Sequence, residues 1–571
     1  MNARYLWSVC LMLPLIASHS ASVAESPPAA LIFNAVIHTM DPGKPRAGAM
    51  AWDQSGRIIA LGASEELRER WPGVSAVDLG GRAVIPGLID AHGHLMGLGL
   101  SMLNADLNGA RAIDEVVERL RRHAKGLPDG AWLLGRGWDQ TLWPGAKFPT
   151  ASDLDQAFPD RPVLLERVDG HAVWANSAAM ARVQRDLSGE WQPEGGHIHR
   201  DADGRPTGIF IDGAAELFEG VVPPPGDAER QRALEMALKH LVSLGLTGMH
   251  DMGMALDDLR RVLHWDAAGR LPIRIYALAD GDREAFAALC RLGPVQGRRL
   301  VMRGVKLYAD GALGSRGAAL LEDYADDPGN QVLLFHGDDA LQRLVDRAMG
   351  CGLQVAIHAI GDRANRQAID AIIEAQRNFP DNPGRHRIEH VQIIHADDMP
   401  RLAAAGIIAS MQPTHATSDM RWAEQRLGKA RLDRAYAWRR LLDAGARLAL
   451  GSDFPVEPAN PLYGLHAAVT RQDRESRPPG GWLPDQRLTL EQALRGFTID
   501  AAYAGFSEHE VGSLEVGKRA DFVVLDHDPA AVRPTGLHRL KVLNTVVDGR
   551  VVHRAENAPL PVSSDGWPRS Q

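Results

Sequence analysis

The sequence predicts an α/β protein built on a closed (β/α)8 TIM barrel. A small β-sandwich domain is expected from both chain ends, with an insertion after barrel strand 1. Three observations lead there. Eight strand-like segments alternate with helical ones between residues 83 and 451, and such alternation makes a parallel sheet. Eight units in one chain close into a barrel. Strand patterns outside this run appear only near the two ends, so the ends are expected to pair. The 571 residues suffice for a large core and more than one domain. Hydrophobic content of 45% and charged content of 24% give the balance of a soluble globular protein. A net charge of -9 argues against a nucleic-acid partner.

Arg4, the apolar run 5–17 and the small residues Ser22 and Ala24 have the layout of a signal peptide over residues 1–24. The run is short for a membrane span and contains Pro14. Cleavage would leave no stable membrane span and place the protein in the periplasm or outside the cell; a retained signal anchor is the alternative. Cys290 and Cys351 then remain, and the sequence leaves their pairing open. Residues 31–40 and 49–62 read as strands, with a turn at Ser55-Gly56. They open a β domain expected over 25–82 and 505–555.

The barrel is expected over 83–504. Its first strand lies in AVIPGLIDAHGHLM, residues 83–96, taken as one buried strand ending in His92 and His94. The insertion, about 100–225, contains a helix at 112–124, two short strands, and Gly-rich loops with Trp132, Trp138, Trp143, Trp174 and Trp191. Such loops beside a site often form the substrate pocket. From 226 the rhythm is regular. A helix at 228–244, capped by Asp227, carries Leu234, Leu238, Leu241 and Val242 on one stripe. Further strands are expected at 246–250, 272–278, 301–308, 354–358, 387–391, 407–411 and 447–451, with helices between them. Thr489 and Gln492 form a capping box for a helix at 490–497. Strands return at 511–525 and 541–552. The tail 556–571, rich in Pro and Ser, is expected to be disordered.

Barrel enzymes place their chemistry at the C-terminal strand ends. Alternate residues of a strand share a face, so His92 and His94 aim two imidazoles at one point. Strand four ends near Lys306, strand five at His358, strand six at His390, and strand eight near Asp453. Four histidines and a carboxylate so placed suggest a metal centre. One catalytic carboxylate among histidines argues against a glycosidase, which needs two. His250 and Asp251 end strand two and are read as supports for the metal-binding histidines. Glu389 is expected on the far side of its strand from His390. His197, His199 and His415 are read as loop histidines.

The strings DGHAVWANS, KLYADGALGSRGA, HAIGDRA, IEHVQ and GSDFPVEP resemble the amidohydrolase superfamily. Within it they are similar to amidohydrolase family 3, the N-substituted formamide deformylase-like branch. The resemblance implies metal-dependent hydrolysis of a non-peptide C–N bond in a small molecule, with one or two divalent ions, usually zinc. It implies one ion on His92, His94 and Asp453, a second on His358 and His390, and Lys306 bridging as a carbamate. An ammonium has no lone pair, so Lys306 could ligate only after such a change. The alternative is an ordinary Lys306 paired with Asp310. Asp453 is expected to be the catalytic base. His171, Trp138, Tyr308 and Arg316 are the expected substrate contacts. Ester or lactone hydrolysis and a non-catalytic metal-binding barrel are the competing readings. A homodimer is a further expectation.

Overall fold

The structure, a computed structural model, describes residues 28–561 apart from 169, 171, 194, 195, 282, 283 and 333. The expected signal peptide lies outside the described residues. Eight parallel strands run in chain order: β1 Leu88–Gly93, β2 Leu246–Met254, β3 Arg274–Asp280, β4 Leu300–Tyr308, β5 Gln354–Ala359, β6 Arg387–His390, β7 Ile408–Met411 and β8 Arg447–Leu450. Each pairs with the next in parallel register. The barrel is nearly closed between β8 and β1. There Asp453 N donates to His92 O at 2.7 Å and His94 N to Phe454 O at 2.8 Å. Each of the eight strands overlaps the segment in which the sequence places it.

The barrel's outer side packs against its helices. Val305, Ile357 and Ile388 from strands meet Leu241, Val262, Val345 and Ile372 from helices in one apolar cluster. Helix Asp227–Ser243 shows the expected stripe, but Asp227 is its first residue rather than its cap. The cap is Gly226, whose N–H is accepted by Glu229 at 2.8 Å. Thr489 and Gln492 exchange both hydrogen bonds of a capping box.

Residues 83–96 form two strands. Ala83–Pro86 joins the terminal β structure, pairing with Val36–His38 and Phe522–Leu525, and β1 starts after Gly87. Pro86 offers no N–H to continue the ladder. Gly87 lies so close to Thr247 that a Cβ would come within 2.1 Å of its Oγ1. The terminal β structure consists of a four-stranded and a six-stranded sheet. Ile32, Met50 and Trp52 of the first pack against Val84, Phe522 and Val546 of the second. The tail keeps structure past residue 556. Leu560 is buried in that apolar core, and its backbone exchanges hydrogen bonds with the Asn544 side chain. Residues 562–571 lie outside the described residues.

The insertion builds a six-stranded sheet of its own, from Ala105–Asp106 to Pro206–Asp212. Trp138, Trp143 and Trp174 fill its core with Leu107, Leu133 and Leu165.

Candidate metal centre

Two His–His–Asp groups share one carboxylate at the C-terminal end of the barrel. The ligand atoms of His92, His94 and Asp453 lie within 4.8 Å of one another, as do those of His390, His415 and Asp453. Asp453 Oδ1 is 3.5 Å from His92 Nε2 and 3.2 Å from His94 Nε2, while Oδ2 is 3.6 Å from His415 Nε2. The His390 ring centroid lies 4.8 Å from that of His92 and 4.5 Å from that of His358. Strand geometry explains part of this. His92 ends β1, and His94 caps helix Leu95–Met102. His390 and Asp453 have φ of 77° and 63°, left-handed values that turn their side chains off the strand line.

The surroundings fix the tautomers. His92 Nδ1 donates to Glu389 at 2.6 Å, and His390 Nδ1 donates to Gln412 at 2.9 Å. Both Nε2 lone pairs therefore face the centre. His415 is oriented differently. Its Nδ1 accepts from the Gln392 amide at 3.2 Å, so its proton sits on Nε2, towards Asp453. Burial lowers the His92 pKa to about 4, with the Lys306 charge adding to it, and the same causes lower His358 to about 3. His390 is pushed well below the ordinary value, also by burial. These rings stay neutral, the form that binds metal. Burial alone would raise the Asp453 pKa, but His92, His94 and His415 hold it well below the carboxylate range.

Behind the ligands lies a buried relay. Arg387 is fully enclosed and binds Glu389, Ala91 O, Ser410 and His250 Nδ1, the last at 2.8 Å. Burial favours protonated Glu389, yet Arg387 and His92 hold it ionised. Glu389 thus faces the barrel interior, contrary to expectation. Strict alternation fails because the chain twists at His390. His250 supports His92 through Arg387 and Glu389, and Asp251 accepts from Leu95 N at 2.8 Å. Asp90 ties the seam, accepting from His92 N and from Ser452 N and Oγ, and burial raises its pKa to about 7.

Lys306 is buried on β4, and burial lowers its pKa. Its Nζ lies 5.1 Å from the Tyr308 ring centroid. It does not pair with Asp310, whose carboxylate accepts from Ala319 N, Ile360 N and Gly361 N. Tyr308 stands beside His358, with ring centroids 5.7 Å apart. Trp138 is not available to a substrate: it is fully buried in the insertion core, with its indole N–H on Leu165 O. Arg316 turns to Asp326 at 2.9 Å instead. His171 lies outside the described residues. His199 binds Thr207 within the insertion.

His415 was missed by sequence reasoning. It sits in the first turn of helix Pro413–Asp419, just beyond β7. The run Gln412-Pro413-Thr414-His415, with a proline at the first helical position, was the available signal. The centre passes a simple test of fit for a metal. His358 Nε2 and Asp453 Oδ1 are buried without hydrogen-bond partners. Such atoms are costly unless something binds them. Neutral imidazoles with a carboxylate suit zinc and similar divalent ions.

The sequence matches the model of the Amidohydrolase family over residues 75–553. It is 34% identical over 530 residues to YtcJ of Bacillus subtilis (strain 168), named as an amidohydrolase, covering 90% of this chain and 98% of that one. It is 31% identical over 539 residues to the N-substituted formamide deformylase of Arthrobacter pascens, covering 91% and 97%. Among solved structures, an uncharacterized metal-dependent hydrolase from Pyrococcus horikoshii OT3 superposes with a TM-score of 0.73 at 29% identity, covering 88% of this chain and 99% of that one.

Proposed function

The chain belongs to the amidohydrolase family, and on that premise we propose that it is an exported, zinc-dependent hydrolase of an amide-like C–N bond in a small molecule. The observation that carries the reading is the buried group of His92, His94 and Asp453, with His390 beside it and the His358 Nε2 and Asp453 Oδ1 atoms left unpartnered. The similarity to an N-substituted formamide deformylase supports the choice of bond. Export rests on the N-terminal segment. Pairing of Cys290 with Cys351 suits an oxidising compartment. No helix among the described residues is long and apolar enough to cross a membrane.

His92, His94 and Asp453 would hold one ion, and His358 and His390 a second. Lys306, buried and free of an acidic partner at hydrogen-bond distance among the described residues, would bridge them as a carbamate. A divalent ion, when bound, supplies Lewis acidity and activation of water near neutral pH. Asp453 takes the proton of the attacking water and returns it to the leaving nitrogen, a task its ionised state permits. His415 Nε2–H, held by Gln392, donates to the substrate carbonyl oxygen as negative charge develops there. Glu389 and Gln412 keep the ligand rings in the metal-binding tautomer. Tyr308 lines the approach beside His358.

Elemental analysis of the mature protein, paired with Lys306→Ala and a panel of N-substituted formamides and matching esters, tests the reading. Two zinc per chain falling on substitution, with faster formamide than ester cleavage, is expected. One zinc unaffected by the substitution removes Lys306 from the ligand set. Preference for esters moves the activity to carboxylic esters or lactones.

A further inference from the structure

We propose that the foot of the barrel carries a second binding site, built for a small aryl carboxylate. A cavity of ≈ 430 Å³ lies at the N-terminal ends of β1–β4, closed by residues 505–511 and by Arg57 and Arg519. It is at the opposite end of the strands from the metal centre. On β4, Val301 and Arg303 line the cavity, whereas Lys306 and Tyr308 end the strand at the other face.

The cavity is unusually cationic. Six arginines line it against one acid, Glu510. Four of them are matched. Arg57 and Arg519 pair with Glu510 at 3.0 Å and 3.1 Å. Arg274 pairs with Asp521 at 2.9 Å, and Arg299 with Asp548 at 2.7 Å. Arg298 and Arg303 have no carboxylate partner among the described residues. Arg303 Nε is buried without any hydrogen-bond acceptor, and its guanidinium carbon lies 4.1 Å over the Phe506 ring. A guanidinium fork matches a carboxylate in shape and charge.

The remaining wall selects the body of the ligand. Ile89, Ile275, Val301 and Val511 present apolar surface beside Phe506. An aromatic ring can pack there while its carboxylate meets Arg303 and Arg298. His250 adds a donor. Its Nδ1 accepts from Arg387, so its proton sits on Nε2, which faces the lining residue Gly505. The volume falls in the range of small-molecule pockets, about 300–1,000 Å³.

Calorimetric titration of the full-length, metal-loaded protein with benzoate, and with benzamide as its neutral isostere, decides the matter. Benzoate is expected to saturate a site with Kd at or below about 1 mM. Benzamide should bind at least roughly tenfold more weakly, and Arg303→Gln and Arg298→Gln should each weaken benzoate roughly tenfold. Hydrolytic rate and melting temperature should not change. Arg298 is exposed, so its variant keeps the test readable if Arg303→Gln folds poorly. Benzoate affinity unchanged in the Arg298 variant places the anion elsewhere, including at the metal centre, and overturns the proposal. So does equal affinity for benzamide, or no saturable binding.

Discussion

Asp453 occupies the barrel seam with φ of 63°, and its backbone N–H donates to His92 O. Asparagine tolerates that backbone conformation and keeps one oxygen for the histidines. Asp453→Asn should therefore fold and retain most metal, yet lose at least roughly 100-fold in turnover, because no base remains to take the proton. Single-turnover rates alongside metal content check this; turnover near wild type removes the role. Glu389 acts one step further out. Glu389→Gln leaves Arg387 buried without its counter-charge and weakens the anchor of His92. Metal affinity should fall roughly 10–100-fold in a chelator competition. The positions of His92, His94, His358, His390 and Asp453 at strand ends were legible in the sequence, because a barrel strand exposes its last residues at one face. Glu389 and His415 were not. Glu389 reaches the interior through a left-handed turn at its neighbour, and His415 is carried in by a helix start. Neither is written in a strand periodicity.

Between strands, Gly87 is a tight local constraint. It separates Ala83–Pro86 of the terminal β structure from β1, and its Cα faces Thr247 on β2. Gly87→Ala would bring a methyl group within 2.1 Å of Thr247 Oγ1 and 2.4 Å of its Cγ2. Overpacking of this kind should cost about 1–3 kcal/mol. Adding Thr247→Ala removes both of those atoms and should recover part of the loss. Chemical denaturation of the single and double variants measures the coupling; additive losses would show that the contact is not the cause. The order of helices and strands was readable because each amphipathic helix and apolar strand keeps its own period. The split of residues 83–96 was hidden because both halves are equally apolar, so hydrophobicity marks no boundary. Pro86-Gly87 was the only local sign. Trp138 misled for a related reason: an aromatic residue in a Gly-rich loop looks exposed until its sheet is assembled, and then it is core.

At the scale of the whole molecule, the barrel is fastened from outside and is vulnerable from inside. Cys290, in the helix after β3, is bonded to Cys351, just after the helix that precedes β5. The bridge closes 61 residues of sequence separation, and its loss should cost up to roughly 4 kcal/mol by chain entropy. A lower melting temperature under reducing conditions, absent in Cys290→Ser, tests that. The inner weakness is acid. His386, at the foot of β6, is 1% exposed, and its Nδ1 accepts from Val355 N at 3.1 Å. Burial lowers its pKa from the ordinary 6.5 to about 4. Above pH 6.5 neither folded nor unfolded chains hold the proton, so the residue costs nothing. As pH falls below 6.5 the unfolded chain takes up a proton that the folded chain refuses, and stability drops until about pH 4, where the folded form protonates too. The interval of pKa corresponds to roughly 3 kcal/mol. His386→Gln keeps an acceptor for Val355 N–H and cannot titrate. Its stability, measured by urea unfolding at pH 7 and pH 5, should fall less on acidification than that of the wild type. Parallel losses in both proteins would assign the acid lability to the other buried histidines, whose pKa values are lowered in the same direction.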